Sequence, residues 1–161
     1  MARILITGMS GAGKSTLLAE LARRGHPTVD TDYDGWVLAD GLWDEARMRE
    51  LLANRGDVMV SGAVENQGLF YDRFDAVILL SAPIEVLLDR VARRSNNPYG
   101  RTAGEREEIR RYIHEVEPLL RRGANCELDG RRTVAELADE VEAVAQSPFR
   151  QRLPQAQAEK G

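Results

Sequence analysis

The chain has 161 residues, 43% of them hydrophobic and 30% charged, a balance that suits one soluble globular domain with a core of useful size. A net charge of −4 argues against a general nucleic-acid binder, so no nucleic-acid partner is expected. No apolar run reaches the ~20 residues of a membrane span, no signal-peptide pattern opens the chain, and the single cysteine, Cys126, cannot form an internal disulfide. The expectation is a cytoplasmic protein, a monomer or weak dimer, with no membrane partner and with Cys126 as a small buried apolar residue.

Arg3 to Thr7 is a short apolar stretch that reads as a buried strand. Gly8-Met9-Ser10-Gly11-Ala12-Gly13-Lys14-Ser15 follows and fits G-x-x-x-x-G-K-[ST]. Thr16 to Arg24 then reads as a helix with Leu17, Leu18 and Leu21 on one face, stopped by Gly25 and Pro27. Strand, glycine loop and helix together are the context in which this motif binds the phosphates of a nucleoside triphosphate. The glycines let successive N–H groups turn toward phosphate oxygens, and the helix N-terminus adds roughly half a positive charge at the same place. Gly8, Ser10, Gly11, Ala12, Gly13, Lys14, Ser15 and Thr16 are therefore candidates for holding ATP. Lys14 can reach the β- and γ-phosphates, and the Ser15 hydroxyl can ligate Mg²⁺.

Pro27 to Asp30 is a second strand, and Asp44 to Asn54 an amphipathic helix with Ala46, Met48, Leu51 and Leu52 inward. Val58 to Gly62 and Ala76 to Ser81 are continuous apolar runs, as expected for parallel strands covered on both faces. Pro83 opens a helix from Ile84 to about Arg94. A polar loop over 95–104 precedes a helix from Glu105 to Arg122 that contains Pro118. Asn125 to Asp129 is a fifth strand, and Thr133 to Ala145 a last helix with Thr133 as its cap and Glu136 three residues on. From residue 147 the composition turns to Gln, Ala and Pro, which reads as a flexible tail after a domain over 1–146. Five strands separated by helices make a three-layer α/β fold with a five-stranded parallel sheet, and the G-x-x-x-x-G-K-[ST] loop after its first strand makes it a P-loop NTPase fold.

Val29-Asp30-Thr31-Asp32 ends the second strand, sixteen and eighteen residues after Lys14 for its two carboxylates. At the carboxyl edge of an open α/β sheet such a pair borders the ligand crevice. One carboxylate can serve Mg²⁺ beside the phosphates while the other meets an acceptor hydroxyl. A solvated acidic turn leading to Asp34-Gly35 is the plainer alternative. With the glycine loop at this distance, the chain resembles shikimate kinase and, more broadly, the small-molecule kinases related to adenylate kinase. The resemblance implies that Asp30, with Ser15, serves the metal, and that Asp32 binds or deprotonates the acceptor hydroxyl. It places Arg94 and Arg101 in a lid over the nucleotide and the transferring group, and Asp129-Gly130-Arg131-Arg132 beside the adenine, with Arg131 as the nucleotide contact. Planar guanidinium groups suit that task because they bond phosphate oxygens in pairs.

The pattern departs from the family after the third strand, where a glycine triplet gives way to Ser61-Gly62-Ala63-Val64-Glu65-Asn66-Gln67-Gly68. Glu65, Asn66 and Gln67 offer an acceptor and two amides, which suit a polyhydroxyl or nucleobase-like molecule, or else form a polar cap for the next segment. Arg47 and Arg49 stand loosely where carboxylate-binding arginines are expected. Trp36, Trp43, Phe70 and Tyr71 could wall this pocket or belong to the core. The expected activity is transfer of the γ-phosphoryl group of MgATP to a small-molecule hydroxyl or phosphate acceptor. A nucleoside or nucleoside monophosphate kinase is the near alternative, and a nucleotide-dependent regulatory ATPase the more distant one.

Overall fold

The computed structural model describes residues 2–93 and 102–146. Its five strands are β1 (Arg3–Thr7), β2 (Thr28–Asp30), β3 (Val58–Ser61), β4 (Ala76–Ser81) and β5 (Cys126–Asp129). They form one sheet in the order β2-β3-β1-β4-β5, and every pairing is parallel. The helices are α1 (Lys14–Arg23), α2 (Glu45–Asn54), α3 (Ile84–Ala92), α4 (Ala103–Gly123) and α5 (Val134–Gln146), with a 3₁₀ segment over Glu65–Arg73.

The apolar runs in β1, β3 and β4 are buried on both sides because helices cover both faces. Ile4, Ile6, Ile78 and Leu80 pack with Leu17, Leu18 and Leu21 of α1 and with Leu137, Ala138 and Val141 of α5. Leu5, Val58, Val60 and Val77 form a second cluster with Met48 and Leu52 of α2, Trp36, Trp43, Phe70 and Phe74. Each such side chain, fully withdrawn from water, contributes roughly 1.5–3 kcal/mol.

Helix ends follow from local chemistry. Asp44 accepts from the Arg47 amide at 3.1 Å and caps α2. Thr133 Oγ1 accepts from the Glu136 amide at 3.2 Å while the Glu136 carboxylate accepts from the Thr133 hydroxyl at 2.8 Å. Thr102 Oγ1 accepts from the Glu105 amide at 3.2 Å, so α4 begins at Ala103 and takes in the last two residues expected in the polar loop. That helix runs on through Pro118 to Gly123. Ala46, expected inward, is exposed on α2, and Cys126 is half-buried at the start of β5. Among the described residues, no helix is long and apolar enough to cross a membrane.

Parallel pairing brings all five strand ends to one edge. Ile6 and Asp30 both pair with Ser61, and Thr7 pairs with Leu79. β1 lies at the point where the strand order reverses direction, with β3 on one side and β4 on the other. The loop leaving it opens into the crevice at that switch point.

Candidate active site

The loop between β1 and α1 is held in a tight curl. Gly8, Gly11 and Gly13 have φ of 156°, 91° and 103°, backbone that side chains disfavour. A Cβ on Gly8 would overlap the Leu80 carbonyl oxygen, and one on Gly11 would stand 2.9 Å from that of Leu87. The loop therefore lies flat against β4 and α3. Lys14 Nζ donates to the Gly8 carbonyl at 2.6 Å and the Met9 carbonyl at 3.2 Å, which folds its charge over the loop.

Across the crevice the Ser15 hydroxyl donates to Asp30 Oδ2 at 2.9 Å. Asp30 Oδ1 accepts from the Asp32 amide at 3.1 Å, and the Asp30 carbonyl accepts from the Tyr33 amide at 3.2 Å. The acidic turn and the carboxylate pair are thus one object, in which the turn aims Asp30 at Ser15 and leaves Asp32 exposed. One hydroxyl and one carboxylate are hard oxygen donors. They fit Mg²⁺, which takes few protein ligands and completes its shell with water and phosphate. No group of three or more His, Cys, Asp or Glu able to hold a metal occurs among the described residues.

Thr31, between the two acids, is buried and was not singled out by its sequence context. Its hydroxyl donates to the Ser61 carbonyl at 2.8 Å and accepts from the Trp43 indole N–H at 3.0 Å. It ties β2 to β3 and pins the segment that carries Trp43. Asn66 brackets Trp43, accepting from its amide at 3.0 Å and donating to its carbonyl at 3.1 Å. Gln67 is buried, donating to the Thr7 hydroxyl at 3.0 Å and the Tyr71 hydroxyl at 2.8 Å, and accepting from the Val64 amide at 2.9 Å. Both amides are committed to the scaffold, as a polar cap would be, and Glu65 alone of the three is exposed. Trp36, Trp43 and Phe70 belong to the core, and the Arg47 guanidinium lies 3.8 Å over the Trp36 ring while donating to the Asp34 carbonyl at 2.6 Å.

A cleft of about 280 Å³ runs from Gly11, Ala12, Gly13 and Thr16 to Gly130, Arg132 and Leu137. Arg132 and Arg90 line it. Arg131 turns away, its guanidinium donating to Asp129 at 2.7 Å, and borders a separate cavity of about 510 Å³ with Ser81 and Glu127. That pair holds the Asp129 carboxyl down to about 2. Adjacent arginines in one turn cannot be told apart by sequence, because their direction is set by which carboxylate lies within reach. Arg94 and Arg101, the expected lid contacts, lie outside the described residues.

The family model for the AAA domain matches residues 4–112, which spans the glycine loop, the carboxylate pair and half of α4. The chain is 34% identical over 142 residues to shikimate kinase of Nitrobacter winogradskyi, covering 73% of this chain and 64% of that protein's length. Its fold matches shikimate kinase from Acinetobacter baumannii in complex with shikimate, at a TM-score of 0.68, with 22% identity, 89% of this chain and 92% of that one covered. It also matches a gluconokinase from Sinorhizobium meliloti, at a TM-score of 0.64, with 19% identity, 99% of this chain and 97% of that one covered. These likenesses show a sheet and helix arrangement shared with P-loop kinases.

Proposed function

This chain belongs to the AAA domain family, and from that premise we propose that it is an ATP-dependent phosphotransferase acting on a small-molecule hydroxyl. The observation that carries the reading is the 2.9 Å bond between Ser15 and Asp30, which joins the phosphate loop to the strand-end carboxylates. A switch protein needs the loop; a kinase also needs a second carboxylate facing the acceptor, the role assigned here to the exposed Asp32.

The amides of Gly11 to Ser15 cradle the phosphates, and Lys14 swings from the Gly8 and Met9 carbonyls to the β- and γ-phosphate oxygens. Ser15 and Asp30 would hold Mg²⁺, whose chemistry here is to neutralise charge on those oxygens. Asp32 accepts a hydrogen bond from the acceptor hydroxyl, orients its oxygen in line with the γ-phosphorus, and takes the proton as the new P–O bond forms. In the same step the bond from the γ-phosphorus to the β–γ bridging oxygen breaks, so that ADP leaves with that oxygen. Arg132, rather than Arg131, borders the base. In the fuller scheme that the resemblance implies, Arg94 and Arg101 close over the transferred group.

A neutral polyhydroxyl acceptor fits this site better than a carboxylic acid. Arg47 is occupied by Trp36 and the Asp34 carbonyl, and Arg49 pairs with Glu45 at 3.1 Å. Asp32 and Glu65 are both acidic and exposed. A panel of sugars, polyols, shikimate, nucleosides and nucleotides, scored for acceptor-dependent ADP release from MgATP, tests the reading. ATP hydrolysis that no acceptor stimulates would move the regulatory ATPase ahead of it.

A further inference from the structure

Helix α4 divides its charges between two sides. Toward the body of the protein, Ile113 and Leu120 are buried, Arg106 and Arg110 pair with Glu85 and Asp89 of α3, and Arg121 pairs with Glu127 of β5. The other side presents Glu108, Tyr112, Glu115, Leu119 and Arg122, all exposed. Their spacing of four, three, four and three residues puts them on one face of the helix. The side chains of Glu108, Glu115 and Arg122 have no ion-pair or hydrogen-bond partner among the described residues. Tyr112 and Leu119, 57% and 58% exposed, are two of the five large apolar side chains left open to solvent among those residues.

This face is complementary to itself in one direction only. When two copies of α4 lie antiparallel about a two-fold axis at Glu115, Tyr112 packs on Leu119 of the second copy and Glu108 meets Arg122 of the second copy. Symmetry repeats each contact. In a parallel pair the same positions would face themselves, acid on acid and base on base, which is repulsive. Arg111, also exposed and one turn before Glu115 on the same helix, lies within reach of the two carboxylates near the axis. Two apolar contacts and two exposed ion pairs fall short of a permanent interface, so the pairing is weak and concentration-dependent.

The same axis leaves the crevice open. The first turn of α4 lies beside the last turn of α3, where Arg106 reaches Asp89 at 3.4 Å. Glu115 is nine residues further along the helix, roughly 14 Å away.

We propose that the outer face of α4 is a self-association surface on which a second copy of this chain docks antiparallel, through Tyr112, Leu119, Glu108 and Arg122.

Sedimentation equilibrium of the full chain from micromolar to millimolar concentration is the test. The unaltered protein should shift from monomer toward dimer across that range. Tyr112→Glu should weaken dimerisation on the order of tenfold or more, since symmetry counts the change twice. Glu108→Arg and Arg122→Glu should each weaken it alone and restore it when the two variants are mixed, because a mixed pair sets opposite charges against each other at both ends. Melting temperatures measured where every protein is monomeric should agree, which separates lost pairing from lost folding. If Tyr112→Glu does not fold, the two charge-reversed variants carry the test by themselves. A protein that stays monomeric to millimolar concentration would overturn the proposal. So would dimerisation that Tyr112→Glu or the single charge reversals leave unchanged, or mixed variants that do not recover.

Discussion

The Ser15 hydroxyl and the Asp30 carboxylate, fifteen positions apart in the chain, meet at 2.9 Å across the mouth of the crevice. Ser15 lies in the first turn of α1 and Asp30 at the carboxyl end of β2. These strands are not neighbours, since β3 separates β2 from β1. The bond therefore reports the whole β1-α1-β2 crossover and not a local turn, and on the proposed roles the two acids should fail differently. Asp30→Asn should raise the Mg²⁺ concentration needed for activity, while Asp32→Asn should leave nucleotide binding intact and cut acceptor-stimulated turnover by roughly 10²–10⁴-fold. Steady-state rates across a Mg²⁺ series and an acceptor series check this. Matching defects in both series would show that the roles are divided wrongly.

Lys14→Ala should remove turnover with little loss of stability. Lys14 donates to two loop carbonyls and fills no part of either core cluster, and its proposed task is to carry charge to the phosphates. Loss of one preorganised charge contact costs on the order of 3–4 kcal/mol of barrier. Retention of more than about a tenth of the activity, a loss below roughly 1.4 kcal/mol, would count against the assignment.

Gly62→Ala should destabilise the protein through the acceptor side of the site. The added methyl would overlap the Thr31 hydroxyl, which donates to Ser61 and accepts from Trp43. Displacing it breaks two buried hydrogen bonds, so a loss of about 2–4 kcal/mol is expected in urea titration. A change below about 0.5 kcal/mol, the range of an ordinary surface substitution, would show that Thr31 does not anchor this segment.

Acid should loosen the contact between α1 and α5. Arg24 bridges Glu20 of α1 to Asp139 at 2.8 Å and to Glu142, both of α5, and Glu142 also meets His26 Nε2 at 2.8 Å. Hydrogen bonds from Arg23 and Arg24 hold the Glu20 carboxyl down from 4.5 to about 2, and those from His26 and Arg24 lower Glu142. Carboxyls lowered by folding stabilise fully above their unfolded values and lose that contribution as pH falls through the folded ones. The melting temperature should therefore fall between about pH 4.5 and about pH 2. Arg24→Ala should lower it at neutral pH and flatten the acid limb. Parallel acid limbs in the two proteins would remove this network from the account.

The glycine loop, its flanking strand and helix, the five strands and the carboxylate pair were legible in the sequence alone. Each is written in a local pattern: glycine at positions of positive φ, apolar runs for strands covered on both faces, and carboxylates at a strand end. What the sequence left open was direction. Asn66 and Gln67 are polar residues beside the acceptor side, yet their amides are consumed by Trp43, Thr7 and Tyr71, partners 23, 60 and 4 positions away. Arg131 and Arg132 differ by one position and border different cavities. Arg90 stands in a sequence cluster of arginines that suits phosphate capture or a solvated helix face, and only the fold brings the glycine loop and the turn after β5 together to present three carbonyls to it. A side chain's task depends on which long-range partner satisfies it first, and only the packed sheet decides which partners come within 3 Å.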